Sequence, residues 1–473
     1  MAPDDRPTGQ PPFSVHPDAM RVMGALWEHG HAAFLVGGGV RDGLLGRDTD
    51  NWDLSTDATP DELLALFPDG TYQNRFGTVL VPPAIEVTTF RRDHRYGDHR
   101  RPDEVTFTTD PVEDLARRDF TVNAIAWGRG ASSSEPAFLD PSDGRHDLEE
   151  GLLRAVGDPD TRFDEDALRM LRAARLAAQV DLSIEAQTLA AIGRHAADVR
   201  LVSSERIGAE IGRILRSPVP SVGLRILETT GLLAAILPPL ARQRGLRQDK
   251  IPGHDLWDHT LLAVDTAAAL RPSDARLAMA ALLHDSGKPE TFADGHFIGH
   301  AAAGGAIARG WLSRIAYPSK DAEHVARLIE EHMFEYSPKW SDAAVRRFMR
   351  RVGVNLVDDL LALRQADNVG SGNHAEAGHL AELRGRVDAQ REGHAPLALA
   401  DLSVDGSDLL AELGGTPGPW LGQLLDRLLE SVVNDPTRNT RQRLLADARQ
   451  WTEEAAPLAP VARHRAGNAG DGA

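Results

Sequence analysis

Ala32-Ala33-Phe34-Leu35-Val36-Gly37-Gly38-Gly39-Val40-Arg41-Asp42 carries the pattern that decides the fold of the N-terminal part of this chain. Five apolar residues form a strand that breaks at three glycines, and Val40 to Leu45 reads as the start of a helix. A strand, a glycine turn and a helix N-terminus put bare backbone where unpaired N–H groups and the helix dipole favour an anion such as a triphosphate. Arg41 adds a guanidinium able to make a bidentate contact. Glycine turns of this kind are also common without any ligand, so the meaning of the segment rests on its surroundings.

Upstream, Met20, Val22, Met23, Leu26 and Trp27 recur at helical spacing between Pro17 and His29. Downstream, Asn51-Trp52-Asp53-Leu54 and Ala84 to Phe90 alternate polar with apolar, as half-buried strands do, and imply a small mixed sheet up to about residue 140. Residues two apart on a strand share a face, so Asn51 and Asp53, with Glu86 on another strand, are candidates to hold a divalent cation. Asp53 also suits a turn at a strand end. Two further segments join these. Arg117-Arg118-Asp119-Phe120-Thr121-Val122-Asn123-Ala124 offers two guanidiniums, a carboxylate and an amide to phosphates and a ribose. In Glu165 to Arg175, the residues Asp166, Arg169, Arg172 and Arg175 lie three apart on a helix. There they either read a nucleobase edge and hold phosphates, or form a solvated face of intrahelical ion pairs.

Beyond Asp164 the spacing is almost everywhere helical, with joints expected at Ser217 to Pro220 and Gly245 to Gly253. The expected fold is an α/β head with a mixed sheet over 15–150, followed by mainly α-helical domains: a neck over 151–245, a His-rich domain over 254–372 and a tail over 373–450. Residues 1–12 and 455–473 are expected to be disordered. At 473 residues the chain is too long for one core, and its 42% hydrophobic and 26% charged residues exclude bulk disorder. There is no cysteine, so thiol chemistry and disulfides are excluded and any metal must sit on His, Asp or Glu. A net charge of −18 argues against indiscriminate nucleic-acid binding over the whole surface, and Arg346, Arg347, Arg350 and Arg351 form one candidate basic patch. No run is long enough to cross a membrane and no signal region is visible at the N-terminus, so a cytoplasmic protein is expected.

The helical half holds a second constellation. His259 lies in an apolar helix, His284-Asp285 end the apolar run Leu277 to Leu283, and Asp367 ends another; His300 and His332 fall between. Imidazoles and carboxylates converging from several helices can hold a metal and its water nucleophile.

In order and spacing, the glycine turn, the Arg-Arg-Asp-Phe-Thr-Val-Asn-Ala segment and Glu165-Asp166-Ala167-Leu168-Arg169 resemble the CCA-adding tRNA nucleotidyltransferases of the polymerase-beta-like superfamily. Asp140-Pro141 with Gly144 and Asp147-Leu148 is similar to that family's hinge motif, and Arg206 to Glu210 to its neck helix. Val404 to Leu409 and Gly415 to Pro419 resemble the tail of long members. The resemblance implies addition of CMP and AMP to tRNA 3′ ends from CTP and ATP with Mg²⁺. Asp53, Glu86 and Asn51 would hold metal; Gly37, Gly38, Arg41, Asp42, Arg118, Asp119 and Asn123 the nucleotide; Asp166 and Arg169 the base; Arg172 and Arg175 phosphates. The chain departs from the family's Asp-x-Asp at Asn51, a neutral amide in place of a carboxylate. An A-adding enzyme, a poly(A) polymerase, or a tRNA-binding protein with an impaired head are the competing readings. The order His259, His284-Asp285, Asp367, with Lys288 close by, resembles the HD phosphohydrolases. That likeness implies hydrolysis of phosphorylated or 2′,3′-cyclic ends with Ni²⁺, Co²⁺ or Mn²⁺, with His300 and His332 ligating a second ion. No protein partner follows from the sequence.

Overall fold

The computed structural model describes residues 11–49, 51–74, 76–94, 104–248, 250–272, 274–373 and 377–454. The terminal stretches expected to be disordered fall outside these, apart from residues 11 and 12, and Asp50 lies outside them too. Two compact units are present, Met1–Glu330 with Val369–Gly372, and Glu331–Asn368 with Asn373–Ala473.

In the first unit, β1 (Ala33–Val36), β2 (Asp53–Thr56), β3 (Thr71–Asn74), β4 (Thr78–Val81) and β5 (Ile85–Thr89) precede a ribbon of β6 (Arg91–His94) and β7 (Glu104–Phe107), followed by β8 (Ala126–Arg129) and β9 (Ala137–Leu139). Seven of these strands form one sheet in the order β3-β4-β5-β2-β1-β8-β9. Its neighbours are antiparallel except β2 and β5, which run parallel, so the expected mixed sheet is present. β1 is apolar throughout because both its faces are covered. Ala33 and Leu35 face the helix Pro17–Glu28 through Val22, Met23 and Leu26, while Phe34 and Val36 meet Phe90, Leu115 and Ala126. Burying each of these large side chains contributes about 1.5–3 kcal/mol, which holds the strand that ends at the glycine turn.

Three local expectations shift. The helix after the turn starts at Gly38 rather than Val40 and runs to Leu44. β2 begins at Asp53, so Asn51 lies just before the strand instead of on it. Asp166 ends the helix Pro159–Glu165 and precedes the helix Leu168–Val180, so it is not on the face that carries Arg169, Arg172 and Arg175. Among the described residues, the longer elements that follow in the unit are helices, beside a two-residue parallel pair, Leu152–Leu153 with Ser183–Ile184. Ser217 to Val219 separate the helices Ser204–Leu215 and Pro220–Thr229.

The second unit packs the helices Gly406–Leu413, Pro419–Asn434 and Arg441–Glu454 around Leu409, Leu428, Val432 and Leu444. Asp405 and Asp408 close a capping box at the first of them. Of the candidate basic patch, Arg346 is corrected because it is buried, while Arg347 and Arg351 stay exposed. Arg346 is buried and donates to the carbonyls of Val433 (2.6 Å) and Asn434 (3.1 Å) and to Gln390 Oε1 (2.7 Å). Arg350 pairs with Glu430 at 2.9 Å and Asp426 at 3.3 Å, Arg351 with Glu331 at 3.6 Å, and Arg347 bonds Asn434. These guanidiniums tie helices together. Among the described residues no helix is long and apolar enough to cross a membrane.

Candidate active site

The glycine turn shapes the floor of a cavity of about 570 Å³. Gly37 has a φ of 75°, and a Cβ there would stand 3.0 Å from Arg118 Nη1 and 3.9 Å from Asp53 Oδ2, so only glycine keeps this corner open. A Cβ on Gly39 would lie 2.7 Å from the Asn51 carbonyl, and its absence lets the helix press against the segment entering β2.

Two carboxylates stand side by side on the parallel strands, because Asp53 and Glu86 are direct register partners. Burial pushes the Asp53 carboxyl above its usual value against the opposing pull of Arg118 and of a hydrogen bond from Asn51. Glu86 is raised by burial and by the charge of Asp53. Asn51 donates through Nδ2 to Asp53 Oδ2 at 3.2 Å, so the two side chains meet although only one is on the strand. Like charges held together in this way are relieved by a cation, and hard oxygen donors suit Mg²⁺.

The other predicted residues converge on the same space. Gly37, Gly38, Arg41, Asp42, Asn51, Asp53, Arg118, Asp119, Asn123, Asp166, Arg169, Arg172 and Arg175 all line the cavity; Glu86 stands beside Asp53 and is not among the lining residues. A relay of bonds links them. Arg41 donates to Asp42 Oδ1 (2.9 and 2.7 Å) and to Asn123 Oδ1 (2.6 Å), Asn123 donates to Asp119 Oδ1 (3.1 Å), and Asp119 pairs with Arg172 at 2.7 Å. Burial alone would raise the Asp119 carboxyl, but Arg172, Asn123 and Arg169 hold it below its ordinary value. Asp166 accepts from Arg206 at 2.7 Å and from the Leu168 backbone at 3.0 Å; Arg169 donates to Glu165 at 2.5 Å and to the Arg117 carbonyl at 3.1 Å. Arg175 pairs with Glu210 at 2.8 Å.

Thr49, Arg91, Asp93, Leu176 and Gln179 carried no site role in the sequence reading, and all line the cavity, as does Arg117, the first of the two guanidiniums offered to phosphates. Leu176 and Gln179 continue the helical spacing from Arg172, which was a usable signal. Arg91 and Asp93 come from the β6–β7 ribbon and carried none.

Residues 33–154 match the family described as Poly A polymerase head domain, 181–243 that described as Probable RNA and SrmB-binding site of polymerase A, and 306–448 tRNA nucleotidyltransferase domain 2. The chain is 32% identical to the CCA-adding enzyme of Geobacillus thermodenitrificans, over 92% of this chain and 96% of that protein. It belongs to the tRNA nucleotidyltransferase family. This nucleotidyltransferase is also 34% identical to the A-adding tRNA nucleotidyltransferase of Deinococcus radiodurans, over 89% of this chain and 96% of the relative. The crystal structure of the Bacillus stearothermophilus CCA-adding enzyme in complex with CTP superposes with a TM-score of 0.69 at 27% identity, covering 94% of this chain and all of that one.

The first unit of the nucleotidyltransferase holds a second polar centre. His259, His284, Asp285, Lys288 and His300 are all buried. His259 Nε2 and His284 Nε2 are 3.0 Å apart. Asp285 Oδ2 lies 3.3 and 3.2 Å from them and 2.6 Å from Lys288 Nζ, and its Oδ1 lies 3.5 Å from His300 Nε2. His284 Nδ1–H donates to the Ala281 carbonyl and His300 Nδ1–H to the Phe297 carbonyl, each at 2.7 Å. In the neutral rings both Nε2 atoms therefore present lone pairs, the tautomer that backbone bonds select in metal-binding histidines. Burial holds His259 and His300 below the usual imidazole value, against the pull of Asp285. Burial would raise Asp285, yet His284 and Lys288 keep it well below its ordinary value. His332 and Asp367 belong to the second unit; within it, Asp367 pairs with Arg364 at 3.0 Å.

Proposed function

We propose that this chain builds or repairs the CCA end of tRNA, adding CMP and AMP from CTP and ATP. The tRNA 3′ hydroxyl attacks the α-phosphorus, the new phosphodiester bond forms as the bond to the β-phosphate breaks, and pyrophosphate leaves. The observation that carries this reading is one cavity lined by Asp53, Arg118, Asp166 and Arg169, which joins a metal-binding carboxylate, a phosphate-binding guanidinium and a base-reading pair. Asp53 and Glu86 would hold Mg²⁺, with the Asn51 amide oxygen as a neutral third donor. Divalent cations there, two in the reading taken from the family, would supply positive charge to the transferring phosphate and favour the ionised 3′ hydroxyl. Arg118 faces the leaving pyrophosphate, and Asp166 and Arg169 offer acceptor and donors to the incoming base.

The relatives include both CCA-adding and A-adding enzymes, so product length is decided by assay. Labelled CTP alone, then ATP, is supplied with Mg²⁺ to tRNA lacking its CCA and to tRNA ending in CC. CTP incorporation followed by one AMP supports CCA synthesis. Incorporation of ATP alone, and only on the CC end, makes this an A-adding enzyme; incorporation of neither leaves a tRNA-binding head.

A second activity is favoured by the convergence of His259, His284 and His300 on Asp285, whose oxygens lie 3.3, 3.2 and 3.5 Å from their Nε2 atoms. We propose that this centre holds Ni²⁺, Co²⁺ or Mn²⁺ and hydrolyses 2′,3′-cyclic or terminal phosphates, with Lys288 neutralising the phosphate. Metal content after dialysis, followed by phosphate release with each metal in turn, tests it. No bound metal and no hydrolysis would leave the centre a structural one.

A further inference from the structure

The nucleotide cavity is walled by arginines, and like charges packed together need a fixed counter-charge to hold one geometry. One buried carboxylate that no motif singled out does this. Asp114, on the helix Pro111–Ala116, is only 1% exposed. Its Oδ1 accepts from Arg117 Nε at 2.9 Å and Nη2 at 2.7 Å, and from the Arg91 backbone N–H at 3.4 Å. Its Oδ2 accepts from Ser55 Oγ at 3.2 Å and lies 3.6 Å from Arg118 Nη2. Arg118 in turn reaches Ser55 Oγ at 3.4 Å and the Asn123 carbonyl at 3.4 Å. Ser55 is two residues beyond Asp53 on β2 and therefore on the same face. A single carboxylate thus links the strand carrying Asp53, the start of the β6–β7 ribbon and two guanidiniums of the cavity wall.

We propose that Asp114 is a positioning residue for nucleotidyl transfer: it fixes Arg117 and Arg118 at the spacing that receives the triphosphate and releases pyrophosphate, and keys that spacing to Asp53 through Ser55. This rests on the nucleotide-binding reading of the cavity. Asp114 is not among the residues that line the cavity. Its loss would leave Arg117 held by Asp93 at 3.8 Å and Arg118 by Ser55 and the Asn123 carbonyl, both still charged and beside each other, so the anion site would be misplaced rather than abolished. Burial opposes ionisation of Asp114, and the two arginines overcome it, leaving its carboxyl below the ordinary value.

The test compares the parent with Asp114→Asn, Asp114→Glu, Arg118→Ala and the double variant Asp114→Asn/Arg118→Ala in the full chain. A misplaced anion site raises the KM for ATP and weakens inhibition by inorganic pyrophosphate, each by about tenfold to a hundredfold, with the KM for tRNA unchanged. Asp114→Glu recovers part of both. The double variant is no worse in these two quantities than Arg118→Ala alone, because the carboxylate acts through that guanidinium. A purely structural role would instead lower the active fraction and the melting temperature, leaving KM for ATP and pyrophosphate inhibition at parent values; that result overturns the proposal, as does strict additivity in the double variant. ATP affinity by titration calorimetry with Ca²⁺ is measured on the same set. If the parent incorporates nothing yet binds ATP, the transfer reading fails while Asp114→Asn still reports on the anion site. Equal ATP affinity in parent and variant sinks the positioning role by itself.

Discussion

The head cavity and the histidine centre handle charge in opposite ways. In the cavity, guanidiniums stay ionised and buried carboxylates such as Asp114 and Asp119 hold them, while burial raises Asp53 and Glu86 above their ordinary values, Glu86 also through the charge of Asp53. In the histidine centre the bases are pushed down and one carboxylate, Asp285, carries the negative charge. The first arrangement suits a polyanion that arrives with its metal. The second, with His259 and His300 pushed towards the neutral form beside one carboxylate, suits a cation. Burial acts alike in both, penalising whichever form is charged, and the partners decide the outcome.

The largest expected effects separate the two. Asp53→Ala should cut nucleotide incorporation by about a thousandfold while phosphate release by the histidine centre stays at the parent level. Asp285→Ala should abolish metal-dependent hydrolysis and leave incorporation intact. Both activities are assayed on each purified variant, and joint loss in either would show that the centres share one folding defect.

Asn51→Asp sharpens the contrast within the head. Restoring a charge beside Asp53 should raise incorporation by about a hundredfold. It should also lower the melting temperature without Mg²⁺, since a third carboxylate then crowds the site, and Mg²⁺ should reverse that loss. A fast parent with no gain in the variant would show that the amide suffices.

Next in size, Asp166→Ala should erode discrimination among CTP, ATP, UTP and GTP by about tenfold, with ATP affinity less affected. Equal loss for all four nucleotides would reduce Asp166 to its structural bond with Arg206.

The smallest effect is on stability. His259 and His300 are depressed in the folded chain, so on acidification the unfolded chain takes up protons first. Their contribution is therefore present above the ordinary imidazole value, about 6.5, and is lost as pH falls below it. Melting temperature in EDTA between pH 7.5 and 5 should fall, and His300→Gln should flatten the slope; an unchanged slope would mean that His300 is not depressed.

Much of the head was legible because its signals are local. The apolar run of β1, the glycine turn and the alternation ending at Phe90 each specify conformation within a few residues. The two-residue errors at Asn51 and Asp166 arose where an element begins, since alternation and three-residue spacing cannot say where hydrogen bonding starts. Arg91, Asp93 and Asp114 were missed because their value lies in partners that only the folded sheet brings near. Arg346 misled for the same reason: its charge was visible, but the Val433 and Asn434 carbonyls that absorb it lie tens of residues away.

The sequence by itself determined the strand, turn and helix around Gly37, the absence of thiol chemistry, and the presence of one set of polar residues in the order of the nucleotidyltransferase family and a second set of histidines and carboxylates in the helical half. Only the tertiary structure decided which charges meet. It placed Glu86 beside Asp53 across a parallel pair, gave Asp166 to Arg206 rather than to Arg169, and set Asp114 against Ser55, Arg117 and Arg118. Backbone conformation follows from neighbours along the chain, whereas the pairing of charges depends on sheet order and helix docking, which are set by burial summed over the whole unit.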